Sequence, residues 1–172
     1  MRAIGGVALG ALLVMAGCSS SPSTPASLQP PGATPKASTK MVCAAEEQRN
    51  IAVYLGERAR VSKPSWVNDT YRCNYQYPEG TVRLAIKELG SWSSTKRYFN
   101  DSVRAAGPTT QVHNMGQQAA QAEDGTVFVR KDFSVLTVDV TGVPAQLGRP
   151  PTAAADIAYT FADLIMACWT GE

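Results

Sequence analysis

Hydrophobic and polar residues alternate in two stretches of the chain, and each stretch predicts a β-hairpin. In 70–77 (TYRCNYQY) the odd positions carry Tyr or Cys, and Arg, Asn and Gln lie between them. This period of two is typical of a strand with one buried face. The turn at 78–80 (PEG) leads into a second alternating run at 81–89. The segment 126–140 (TVFVRKDFSVLTVDV) repeats the pattern around a central turn and predicts the second hairpin.

Apolar residues at helical spacing predict three helices, over 44–59, 95–106 and 153–169. The second ends at Gly107-Pro108 and has Ser93 and Ser94 as candidate caps, and Thr152 is placed to cap the third. The segment 108–125 is polar and small, which predicts a loop. The order helix, hairpin, helix, hairpin, helix predicts an α+β fold. We expect an antiparallel sheet of about four strands with the helices packed on one face.

The first 17 residues have the pattern of a signal peptide. Met1-Arg2 is a short positive segment, and residues 3–16 form an uncharged apolar run. This run is shorter than the roughly 20 residues of a membrane-spanning helix. Ala16 and Gly17 directly precede Cys18 and resemble the lipobox of bacterial lipoproteins. We therefore expect cleavage before Cys18, acylation of its thiol, and anchoring at the extracytoplasmic face of the cell membrane.

A spacer is predicted to separate the anchor from the domain. Residues 19–40 contain five prolines, many Ser and Thr, and Leu28 as their one large aliphatic side chain. Such a segment cannot bury enough apolar surface to fold. The predicted organisation is thus a signal peptide at 1–17, a lipidated cysteine with a disordered linker at 18–42, and one domain at 43–172.

The charge balance argues against a nucleic-acid partner. The chain has 16 basic and 14 acidic side chains. Loss of Arg2 with the leader would leave 15 against 14, a formal charge of +1, with the basic residues scattered. His113 is the one histidine, and there is no C-x-x-C motif, so we expect neither a metal site nor a cofactor.

Three cysteines remain after Cys18, and thiols of exported domains usually pair. Cys43, Cys73 and Cys168 allow three single pairings. We favour Cys43–Cys73, which would link the first helix to the first long strand. The alternative Cys43–Cys168 requires the ends of the first and last helices to meet.

Trp66 and Trp92 are candidates for a ligand surface, since both fall in predicted loops flanking the first hairpin. Such a surface would suit a glycan, a lipid or a peptide. Two carboxylate pairs, Asp132 with Asp139 and Glu79 with Glu88, have the residue types of a glycosidase. Each carboxylate is better explained by a turn or an outward strand position. No catalytic residue is therefore predicted.

The segments CNYQYP (73–78) and VRKD..VL.VDV (129–140), with the C-terminal CW (168–169), are the most distinctive of the chain. Together with the lipobox they resemble a family of small exported actinobacterial lipoproteins to which no activity is assigned. The resemblance implies a similar domain and a high-GC Gram-positive source. It implies no site residue.

These observations predict a non-enzymatic envelope lipoprotein. Its partners would be membrane lipid at the acylated N-terminus and an envelope ligand or partner protein at the domain. One alternative is a structural accessory subunit of a membrane complex. A cell-wall hydrolase is the other.

Overall fold

A computed structural model describes residues 31–169 of the chain. Its helices are α1 (Ala37–Lys40), α2 (Ala45–Leu55), α3 (Trp92–Ala105) and α4 (Ala154–Cys168), with a 3-10 turn at Met41–Cys43. Its strands are β1 (Arg60–Val61), β2 (Ser65–Val67), β3 (Thr70–Tyr77), β4 (Gly80–Glu88), β5 (Thr109–Val112), β6 (Gln118–Ala122), β7 (Val127–Lys131), β8 (Ser134–Gly142), β9 (Gln146–Leu147) and β10 (Thr152–Ala153).

The fold is α+β, but the prediction of about four strands is wrong. Within the described residues, one antiparallel sheet has eight strands in the order β1-β3-β4-β8-β7-β6-β5, with β2 also paired to β3. The predicted hairpins are β3–β4 and β7–β8, and they join where β4 pairs with β8. The missed strands β5 and β6 consist of Thr, Gln, Ala and one Val, so no hydrophobic alternation marks them. The strands β1 and β2 are two and three residues long.

The prediction that the helices pack on one face is also wrong. Helices α2 and α4 cover one face, where Leu84, Leu136 and Phe161 belong to the main core. Helix α3 covers the other face, where Phe99 packs in a second cluster with Phe128. The physical reason lies in β7, in which Val127, Phe128 and Val129 are all buried. A strand that is apolar on both sides needs cover on both sides.

Two helix boundaries differ from the prediction for local reasons. Helix α3 begins three residues early because Ser91 is its cap: the Ser91 side chain accepts a hydrogen bond from the Ser94 backbone N–H in a capping box. Helix α2 ends at Leu55 because Gly56 takes a left-handed conformation, with φ of 62°. Thr152 does not cap α4; it lies in β10, and Ala153 precedes the helix without a side-chain cap.

The ordered chain includes residues that the sequence placed in the linker. Helix α1 and the following 3-10 turn lie against the domain, where Thr39 and Val42 are buried. Val42 is apolar and belongs to the main core, so its burial gives this segment a reason to pack. The predicted signal peptide and Cys18 lie outside the described residues. Within residues 31–169, no helix has the length and apolar character that crossing a membrane requires.

Candidate functional site

A cleft of about 740 Å³ runs between helix α2 and strand β1. Helix α2 forms one wall because it buries Ile51 and Leu55 against the sheet and leaves its flank open. Strand β1 forms the other wall, with Val61 paired in register to Tyr75 of β3 at the floor. The volume falls in the range of ordinary small-molecule pockets, roughly 300 to 1,000 Å³.

Small side chains keep the cleft open. Ala45 and Ala52 line it from α2, Gly56 lies at the end of that helix, and Ala59 lines it from the connection to β1. Val53 also lines the cleft and is 83% exposed. The cleft therefore offers an apolar surface to solvent.

Polar side chains at the cleft carry an excess of positive charge. The charged lining residues are Arg49, Glu57 and Arg58, and Gln48 adds an amide. Arg49 and Arg58 are both exposed, so their guanidinium groups lie where the cleft opens to water. Guanidinium groups bind carboxylate and phosphate in bidentate geometry. The arrangement suits a molecule with an apolar part and an anionic group.

One carboxyl group of α2 and two tyrosines of β3 are buried in the domain. Burial, and next the charge of Glu46, raise the pKa of Glu47 to about 7 against the lowering effect of a hydrogen bond with Asn50. The Tyr75 hydroxyl donates to the Val42 carbonyl oxygen at 2.7 Å. Burial also raises the pKa values of Tyr75 and Tyr77 above their usual range. Glu47 is 2% exposed and is not part of the cleft lining, so it is a core group.

The structure places Trp66 and Trp92 on opposite faces of the sheet. Trp66 lies in β2 opposite Tyr71, on the face covered by α2 and α4. Trp92 is the first residue of α3 on the other face, and its ring lies 4.9 Å from that of Phe133 between centroids. Neither tryptophan lines the cleft. The two predicted residues therefore do not form one groove.

A disulfide joins Cys43 and Cys73, the pairing that the sequence favoured, with 5.8 Å between their Cα atoms. It connects the turn before α2 to the middle of β3, directly beside the segment that forms the cleft. Cys168 is the last residue of α4 and takes no part in this disulfide. Cys18 lies outside the described residues.

The two carboxylate pairs do not have the geometry of a glycosidase site. Asp132 lies in the turn before β8 and Asp139 in the second half of that strand, on the order of 20 Å further along the extended chain. Glu79 lies in the turn before β4, and Glu88 is the last residue of that strand. Carboxyl pairs of glycosidases are about 5 to 10 Å apart. Asp139 instead accepts a hydrogen bond from Arg83 at 3.2 Å.

The pKa of Asp139 is lowered although its partial burial acts to raise it, because hydrogen bonds from Thr141 and the Arg83 charge outweigh that burial. His113 is exposed in the connection between β5 and β6. Residues 31–169 contain no group of three or more His, Cys, Asp or Glu side chains placed to hold a metal ion.

Sequence reasoning missed the cleft. Its lining joins α2 to β1, and β1 is too short to be recognised from its pattern. One signal was available: Ala45 and Ala52 lie seven residues apart on one side of α2, followed by Gly56. Small residues at this spacing leave a shallow groove along a helix.

Comparison of the chain with protein-family models, with curated proteins and with solved structures finds no match to any of them.

Proposed function

We propose that this chain is an exported lipoprotein, anchored to the outer face of a bacterial cell membrane through acylated Cys18, whose domain binds an amphipathic envelope molecule in the cleft between α2 and β1. The observation that carries the ligand proposal is the cleft itself, which combines exposed apolar side chains with Arg49 and Arg58. The likeness to actinobacterial lipoproteins is part of the same proposal.

Export is supported by the disulfide. Disulfides persist in oxidising compartments outside the cytosol. The disulfide Cys43–Cys73 links the wall of the cleft covalently to the sheet. Anchoring is supported by the apolar run that ends at Ala16-Gly17-Cys18. One acyl chain gives only marginal membrane binding, whereas a diacylated cysteine stays on the bilayer.

A non-enzymatic role is supported by the position of the carboxylates. The groups considered for hydrolysis lie far apart along their strands, and Glu47, whose pKa is raised to about 7, is buried away from the cleft. Turnover of peptidoglycan fragments that is lost on changing one Asp or Glu to its amide would overturn this part of the proposal.

The alternative is an accessory subunit of a membrane complex, in which an apolar segment of a partner protein fills the cleft. The exposed side chain of Val53 suits either occupant. Recovery of one membrane protein in equal amounts with the acylated chain, in mild detergent, would favour the accessory role over a small ligand.

Native mass spectrometry of the acylated protein, isolated from membranes, tests the ligand. We expect a bound molecule of fixed mass in the wild type. Ala52→Trp fills the cleft and should remove that molecule, whereas Ala167→Trp adds the same bulk at an exposed position of α4 outside the cleft and should retain it. Replacing Arg49 and Arg58 by Gln should lower the bound fraction. Equal occupancy in wild type and Ala52→Trp would contradict the proposal.

Tethering is tested separately by Cys18→Ala. The expected result is release of the protein from the membrane fraction or its mislocalisation in the envelope. Unchanged membrane retention, with no labelled fatty acid on the wild-type chain, would overturn the anchoring proposal without bearing on the cleft.

A further inference from the structure

One end of the large sheet, which we call the tether end, is where the N-terminal segment joins the domain. The Lys36 backbone N–H donates to Glu88 Oε1 at 2.8 Å, and Glu88 is the last residue of β4. The start of β8 lies beside it, because Glu88 pairs in register with Ser134. Lys36, close to the first described residue of the chain, therefore joins the domain at this end.

All three tryptophans of the chain lie at the tether end. Trp92 begins α3, shortly after β4 ends. Trp66 is one residue from the tight turn between β2 and β3. Trp169 follows α4, and its carbonyl oxygen accepts a hydrogen bond from Lys131 Nζ at 2.5 Å, at the end of β7. Tryptophan is enriched where proteins meet the headgroup region of a bilayer.

Two apolar side chains at this end are open to solvent. Trp92 is 48% exposed, and Val67, beside the β2–β3 turn, is 53% exposed. The Trp92 ring is held in place by the ring of Phe133 on one side, with the Arg130 guanidinium 5.7 Å from its centroid. Little side-chain freedom would therefore be lost when Trp92 contacts another surface.

Charge at the tether end favours an anionic partner. Basic side chains there are Lys36, Lys87, Lys96, Arg130 and Lys131, against the acidic Asp69 and Asp132 and the buried Glu88. Lys87 lies 3.9 Å from Asp69, so part of this charge is compensated locally. Arg130 and Lys96 flank Trp92. Lys96 lies one helical turn after Trp92 in α3. Anionic lipid headgroups attract such basic side chains.

The length of the tether favours the membrane over a separate protein. Eighteen peptide steps join Cys18 to Lys36, which span about 55 Å when fully stretched in a polyproline conformation. A domain held this close to a bilayer experiences a high effective concentration of lipid, so a weak contact surface is enough to be occupied. The tether joins the domain next to the exposed Trp92.

From these placements we infer that the tether end docks on the membrane, with Trp92 and Val67 entering the headgroup region of an anionic phospholipid surface and Arg130 and Lys96 contacting lipid phosphates. This inference rests on the proposed anchoring at Cys18. Docking would hold the cleft away from the bilayer, because Gly56 and β1 lie toward the opposite end of the sheet.

Quenching of tryptophan fluorescence by brominated phospholipids tests the inference. The acylated full chain is reconstituted in vesicles of phosphatidylcholine with phosphatidylglycerol, brominated near the acyl carbonyls, and in vesicles of phosphatidylcholine alone. We expect clear quenching in the anionic vesicles, less in the neutral ones, and a loss of most of it in Trp92→Phe. Val67→Asp should also reduce quenching at least twofold, whereas Tyr159→Asp, at an exposed aromatic position of α4, should not. Circular dichroism confirms that each variant is folded.

The two proposals can fail separately in this experiment. If mass analysis shows acylated Cys18 but Trp92 is not quenched, docking is overturned and anchoring stands. Quenching that appears only after addition of a second envelope protein would point to a protein partner and would also overturn docking. If Cys18 carries no acyl chain, anchoring fails, and the loss or retention of Trp92 quenching in Val67→Asp still decides whether this end binds lipid.

Discussion

The Tyr75 hydroxyl donates a hydrogen bond of 2.7 Å to the carbonyl oxygen of Val42, which lies 33 residues earlier in the chain. Both residues are fully buried, so the bond ties the segment before α2 to the middle of β3. The disulfide Cys43–Cys73 connects the same two segments, one residue after Val42 and two residues before Tyr75. The wall of the cleft is thus fixed to the sheet by a covalent and a polar link.

Removal of the Tyr75 hydroxyl should destabilise the domain. Tyr75→Phe leaves the buried Val42 carbonyl without this donor, and we expect the free energy of unfolding to fall by about 1 to 2 kcal/mol. Tyr77→Phe is the matched control, because within the described residues the buried Tyr77 hydroxyl has no hydrogen-bond partner. Its removal should be neutral or slightly stabilising. Urea denaturation followed by circular dichroism measures both, and equal effects of the two variants would contradict this account.

Loss of the disulfide should have a larger effect. Replacing both Cys43 and Cys73 by Ala frees a loop with a sequence separation of 30 residues in the unfolded chain. We expect the free energy of unfolding to fall by roughly 3 to 4 kcal/mol. Peptide mapping of the unreduced wild type should recover a linked pair of peptides containing these two residues. An unchanged urea midpoint in the double variant would show that the link does not stabilise the fold.

Glu47 should make stability depend on pH. Its folded pKa of about 7 lies above the ordinary value of 4.5, so the folded state holds the proton more tightly than the unfolded state. The corresponding stability is fully present below about pH 4.5 and is lost as the pH rises to about 7. Glu47→Gln mimics the protonated form, and above pH 7 it should be more stable than the wild type by roughly 2 kcal/mol.

The matched control for Glu47 is Glu46→Gln, which changes an exposed neighbour on the same helix. It should lower the Glu47 pKa slightly and leave most of the pH dependence in place, because burial is the main cause of the raised pKa. Thermal unfolding of the three proteins across this pH range measures the effect. A wild-type stability that rises between pH 4.5 and 7 relative to Glu47→Gln would have the wrong sign.

The sequence predicted those parts of the fold that depend on neighbouring residues. The hairpins β3–β4 and β7–β8 could be recognised because one residue in two is apolar, and the helices because apolar residues recur at every turn. The disulfide between Cys43 and Cys73 was one of three pairings that the sequence allowed, and it was the pairing favoured. These features require no knowledge of how the elements pack.

The parts that were wrong depend on tertiary packing. Strands β5 and β6 are held by pairing onto β7 and by α3, so their Thr, Gln and Ala residues carry no signal of their own. Phe128 is buried on the face of the sheet that α3 covers. It belongs to an apolar run in β7, and such a run does not by itself show which helix covers it. The cleft needs α2 and β1 side by side, and Trp66 and Trp92 could be placed on opposite faces only once the strand register was known.

Mass spectrometry of the N-terminal peptide from the membrane-bound protein tests the central claim most directly. We predict a mature chain that begins at Cys18, lacks residues 1–17, and carries a mass increase corresponding to a diacylglycerol on the cysteine sulfur. A chain that retains residues before position 18, or one that begins at Cys18 with an unmodified thiol, would contradict the account.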